Sequence, residues 1–192
     1  MRAQSELGSI DPKATHKVFR SLDPTFDHCE ETALRRVDVL SGDLNIFVRI
    51  GLDGKPKYAY LLESTVGDYE TEKCFVDAVL QAKFPRPEGG DAEVKYQTNL
   101  KATPTRPATD WPSERVANII SRARTCKDGS SARYQVTLYV GPQGGKAGRV
   151  LSVGVAAAEN GADERVSCIV RMVQAAHVPT PGSWPAKVTF EL

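Results

Sequence analysis

The chain has 192 residues, 41% of them hydrophobic and 26% charged, with a formal net charge of +1. A charge so near zero gives no bulk attraction to nucleic acid or to an anionic membrane surface, and no apolar run nears the roughly 20 residues of a membrane span. Residues 1–6 hold no hydrophobic segment of the signal-peptide kind, so an export signal or lipid-anchor cysteine, if the protein has one, is expected to have been removed from this form.

Asp11-Pro12 is a helix cap-and-start signal. The helical region then runs to about Arg36, with a break near Asp23-Pro24. Val18, Leu22, Phe26, Cys29, Ala33 and Val37 recur at steps of three or four and form one apolar stripe. Leu44, Ile46, Val48 and Ile50 alternate with Asn45, Phe47 and Arg49, the period of a strand. Asp53-Gly54 signals a hairpin, with residues 57–64 as the returning strand. Residues 68–81 read as a second helix carrying Cys74. Pro85, Pro87, Gly89 and Gly90 stop it and turn the chain into a third strand through Val94, Tyr96, Thr98 and Leu100.

The same plan then repeats. The run from Cys74 to Pro87 matches the run from Cys168 to Pro181, with Cys, Val, Val, Ala, Pro and Pro at identical offsets. An internal repeat of this kind governs the fold. The second copy has a first helix with a stripe through Val116, Ile119, Ile120, Ala123 and Cys126. Strands follow through Val136, Leu138 and Val140 and through Leu151, Val153 and Val155, separated by a hairpin loop at 141–145. A second helix spans 162–176, and a last strand runs through Val188, Phe190 and Leu192.

The fold class expected is α+β, with two tandem α-β-β-α-β domains, each a three-stranded antiparallel sheet with two helices on one face. The domains are placed at 1–103 and 111–192, joined by a Pro- and Thr-containing spacer at 104–110. A helix after the second strand returns along the sheet, so the third strand is parallel to the second and the first lies between them. The second and third strands are then edges.

Four cysteines allow three pairings. The repeat favours Cys29–Cys74 and Cys126–Cys168, one staple per domain, which implies an oxidising compartment. Four buried free thiols in a cytosolic protein are the other reading. A zinc site lacks the Cys-x-x-Cys or Cys/His spacing it needs, and no metal or other cofactor is expected.

The helix–hairpin–helix–strand order and the turn Phe84-Pro85-x-Pro87-x-Gly89-Gly90 before the last strand resemble the TonB C-terminal domain. More narrowly the chain resembles the AgmX/PglI-type C-terminal domain of gliding-motility and related envelope proteins, which carries a Cys in each helix, here Cys29 and Cys74, with Glu72 just before the second. The second copy departs from the pattern, with Gly182-Ser183 in place of the Gly-Gly pair. The resemblance implies a periplasmic or outer-membrane-associated protein, without enzyme activity, that contacts other envelope proteins. It implies binding of an extended peptide as an added strand on a third-strand edge, here residues 93–101 through Val94, Tyr96 and Thr98, or residues 187–192 through Val188 and Phe190.

No catalytic constellation emerges. His28 and Cys29 are neighbours on a helix and point about 100° apart. Glu30 and Glu31, with Asp27, read as a solvated helix face. Asp53-Gly54-Lys55 lacks the alternating carboxylates of a calcium loop. The glycines at 141–148 lack the Gly-Lys-Ser/Thr ending of a phosphate loop. Phe47, Tyr58 and Tyr60 fall on the sheet face away from the helices. There they are a cross-strand ladder, a docking face for the other domain, or the platform of a peptidoglycan- or glycan-binding module, which is the alternative function.

Overall fold

The Asp11 carboxylate accepts hydrogen bonds from the Lys13 and Ala14 amides and so caps helix α1 (Pro12–Ser21). Leu22 ends it, and α2 (Asp23–Arg36) restarts on Asp23-Pro24. The computed structural model describes residues 7–101, 104–145 and 147–192. Strands β1 (Asp43–Ile50) and β2 (Pro56–Ser64) form an antiparallel hairpin across a turn in which Gly54 takes a φ of +80°, a conformation glycine adopts without a Cβ penalty. Asp68 caps α3 (Tyr69–Gln81) by accepting from the Thr71 amide. Strand β3 (Ala92–Asn99) returns beside β1, giving the sheet order β2-β1-β3 with β1 in the middle.

Leu44, Ile46, Val48 and Ile50 alternate toward the helices and are fully buried there with Phe19, Phe26 and Phe75. The Phe26 and Phe75 rings stack at 4.5 Å, bringing α2 and α3 together where Cys29 and Cys74 are joined, with Cα atoms 6.0 Å apart. Each buried side chain of this size contributes about 2–3 kcal/mol by leaving water.

The second half follows the plan with additions. Strand β4 (Thr109–Asp110) precedes the short helix α4 (Ala117–Ala123), which 3-10 turns flank at Ser113–Val116 and Arg124–Lys127. Strands β5 (Tyr134–Gly144) and β6 (Ala147–Ala157) form the hairpin, followed by α5 (Asp163–Gln174), β7 (Val178–Pro179) and β8 (Ala186–Glu191). The sheet order is β4-β8-β5-β6-β7. Cys126 and Cys168 are joined, with Cα atoms 5.7 Å apart.

The molecule is therefore a mixed α+β structure with one three-stranded and one five-stranded sheet, where three strands were expected in each. The β8-β5-β6 centre repeats the order of the first sheet, and two short strands extend its edges. The hairpin loop expected at 141–145 is mostly strand, because Gly141 pairs with Arg149 and Pro142 with Gly148.

Residues expected to act as a spacer lie along the second half instead. Trp184 Nε1 donates to Pro107 O at 2.9 Å, the Arg106 guanidinium sits 4.4 Å from the Trp184 ring, and the Thr109 amide donates to Pro185 O at 2.9 Å.

The halves dock. Val136, Leu138 and Val140 face the second core, whereas Tyr139 turns to the other side and packs fully buried against the first core. Its hydroxyl accepts from the Ser41 amide at 3.1 Å and donates to Ser41 O at 3.0 Å. Lys187 Nζ donates to the same carbonyl at 2.8 Å, and the Ser64 amide donates to Gln135 Oε1 at 2.8 Å.

Candidate binding edges, face and clefts

The two third-strand edges are in different states. Val188 and Phe190 point into the second core, and β4 runs parallel along the start of β8, pairing Thr109 with Ala186 and Asp110 with Lys187. The Trp111 amide continues the ladder to Lys187 O at 2.7 Å. Strand β3 has β1 on its inner side, and among the described residues no strand pairs with its outer side. Val94, Tyr96 and Thr98 are half-buried on the helix-facing side, where Tyr96 stacks on Phe19 at 4.0 Å. Glu93, Lys95, Gln97 and Asn99 are exposed on the opposite face. Just before β3, Ser9 and Glu88 exchange backbone hydrogen bonds at 2.9 Å, which ties down the chain entering α1.

The open face of the first sheet is laid out in cross-strand rows. Asn45 lies between Glu63 and Gln97, Phe47 between Tyr60 and Lys95, and Arg49 between Tyr58 and Glu93. Phe47 is 7% exposed yet belongs to neither core, and its ring stacks with that of Tyr60 at 4.8 Å. The aromatic set is thus a cross-strand ladder. Beside it, Lys57 and then Arg49 bond to Asp91 and hold that carboxyl below the ordinary carboxylate range.

Two clefts flank this sheet. One, of about 430 Å³, opens at the end of the open face and is lined by Asn45, Glu63, Gln97, Asn99 and, from the second half, Gln135. The other, of about 310 Å³, lies between β2, α3 and the β6–α5 turn, with Tyr58, Tyr69, Val76 and Ala157 among its walls.

Between the clefts sits a carboxylate whose importance the sequence reading missed. Glu72 is 1% exposed and accepts from Ser64 Oγ at 2.6 Å, the Gly67 amide at 3.3 Å and the Val155 amide at 2.8 Å. Burial pushes its carboxyl up, against the pull of those three donors. Glu30, expected on a solvated helix face, is also buried, and its Oε2 accepts from the Lys101 amide at 2.9 Å. The signal was present in both cases: Glu72 shares a three- and four-residue step with Phe75 and Val79, and Glu30 with Phe26 and Ala33.

Among the described residues no group of three or more His, Cys, Asp or Glu is arranged to hold a metal ion, and no helix is long and apolar enough to cross a membrane. Two disulfides are compatible with a secreted or periplasmic setting. Comparison with family models, with curated proteins and with solved structures finds no match.

Proposed function

We propose that the protein is a non-catalytic binding module of the cell envelope, exposed to the periplasm, that holds an extended segment of a partner protein along the outer edge of β3. One observation carries this reading. Strand β8, the repeat counterpart of β3, already bears an added extended segment, Thr109–Asp110. The duplicated unit thus accepts an added strand at this edge, and the first copy has the same edge unfilled among the described residues. Main-chain hydrogen bonds would supply affinity, and the exposed side chains of Glu93, Lys95 and Gln97 would supply selectivity.

The test is to pan a phage-displayed peptide library against the oxidised full chain and map the selected peptides by amide hydrogen exchange. Slowed exchange concentrated in Ala92–Asn99 is the expected result. Peptides that protect another surface, with β3 unchanged, overturn the reading.

A further inference from the structure

The 430 Å³ cleft has a composition unlike the rest of the surface. The chain contains ten Asn and Gln residues, and four of them, Asn45, Gln97, Asn99 and Gln135, line this one cleft. Three come from the first sheet and one from the second half, so docking of the two halves completes it. No Lys or Arg lines it, while Asp43 and Glu63 do. Glu63 is held at the rim by Arg133 at 2.5 Å.

The hydrogen-bonding state of these amides is unbalanced. Gln135 Oε1 accepts from the Ser64 amide at 2.8 Å, which fixes the group and leaves its NH₂ without a partner among the described residues. Asn45 Oδ1 is enclosed and has no partner among the described residues. An enclosed acceptor left unpaired costs free energy that an incoming donor recovers. Along the same face, the next cross-strand row is the Tyr60–Phe47 stack.

We infer that this cleft is a binding site for a neutral saccharide. A carboxamide both donates and accepts, and so does a hydroxyl. A cluster of amides with two carboxylates therefore matches a polyol better than a charged ligand. The cation at the rim, Arg133, is paired with Glu63 and Glu191, and none lines the cleft itself, which argues against phosphate, sulfate or uronate groups. The aromatic row lies where an adjoining sugar ring would extend, and a sugar's C–H face packs on an aromatic face. This inference shares only the Gln97 side chain with the strand-edge reading, which draws its affinity from the backbone of β3, and it does not depend on that reading.

The experiment titrates the isotope-labelled, oxidised full chain with triacetylchitotriose, cellotriose and maltotriose and follows the side-chain NH₂ signals. The expected result is saturable shifts of the Asn45, Gln97 and Gln135 amides with at least one of the three. Gln97→Ala and Asn99→Ala alter exposed side chains, so the fold should persist, as the backbone spectrum will verify. Each is expected to weaken binding about tenfold, the value of one good hydrogen bond. No saturable shift at these amides with any of the three sugars, or unchanged affinity in both variants, overturns the inference. Peptide binding at the β3 edge is read on the wild type and on Asn99→Ala, whose side chain the edge reading does not use, so failure of one reading is distinguishable from failure of the other.

Discussion

Glu72, on helix α3 of the first half, accepts a hydrogen bond at 2.8 Å from the backbone amide of Val155, on strand β6 of the second half. Strand β6 has β5 on one side, and its other side is paired by β7 only at Ala147 and Gly148. The Val155 amide would otherwise be an unpaired donor at a sheet edge. One carboxylate thus closes a strand edge of one half with a side chain of the other and holds the Gly67 turn and Ser64 at the same time.

Replacing Glu72 by Ala removes the acceptor of three buried donors. The expected cost is about 3 kcal/mol, measured by urea unfolding. Glu72→Gln removes the charge at a cost that does not vary with pH: the amide oxygen keeps Val155 and the Ser64 hydroxyl can turn to accept from the new NH₂, while the Gly67 amide loses its acceptor. The wild-type carboxyl is pushed above its ordinary value of 4.5 by burial. Its contribution to stability is therefore complete below the unfolded pKa and is lost as pH rises through the folded one. Unfolding measured from pH 4 to pH 8 should show Glu72→Gln gaining on wild type as pH rises. A constant difference across that range would contradict the assignment.

Gly154 presses on the same carboxylate. A Cβ there would lie 2.2 Å from Glu72 Oε1 and 2.5 Å from its Cδ. Its φ is not among the positive values, so the constraint is space and not backbone conformation. Gly154→Ala is expected to cost about 2 kcal/mol by displacing Glu72. In the Glu72→Ala background the same change should cost much less, a coupling that a double-mutant cycle of urea midpoints reads directly.

The strands and helices within each half were legible because their signals are local. Alternation from Leu44 to Ile50 and the stripe from Val18 to Val37 each report a buried face. The duplicated Cys-to-Pro run pointed to the pairings Cys29–Cys74 and Cys126–Cys168, and both bonds are present. What stayed hidden is set by contacts between the halves. Tyr139 sits on the outward phase of its strand and looks solvent-facing, yet it is buried because the first half covers it. Thr109 and Asp110 read as linker, since a two-residue parallel pairing leaves no periodic trace. The amide cleft is assembled from positions as distant as Asn45 and Gln135, which no sequence window contains.

The two disulfides should differ in their local effect. Closing loops with separations of 45 and 42 residues gives about 4 kcal/mol each on the chain-entropy model. Cys29 lies in the 14-residue α2, which packs Phe26 on Phe75. Cys126 lies in a 3-10 turn after the seven-residue α4, too short to persist on its own. The double substitution Cys126→Ser/Cys168→Ser should therefore release the amides of residues 117–127 to fast exchange while the first sheet stays protected. Cys29→Ser/Cys74→Ser should lower the urea midpoint with α2 still partly protected.

Trp184 holds the added strand in place on β8. Its indole donates to Pro107 O at 2.9 Å, its ring lies under Arg106 at 4.4 Å, and with Ala108 it packs against the first core. Removing it loses one hydrogen bond and an exposed cation–π contact, together about 2 kcal/mol. Trp184→Ala should therefore speed amide exchange at Thr109 and Trp111, whose bonds run to Pro185 and Lys187, before it affects the β5–β6 hairpin. The consequence for binding follows from the repeat. If the unit's third-strand edge accepts extended chains, freeing β8 exposes a second such edge. A peptide selected on the wild-type protein should then bind Trp184→Ala with a stoichiometry rising from one toward two in calorimetry. A variant that releases residues 109–111 yet still binds one peptide would show that β3 and β8 recognise different segments.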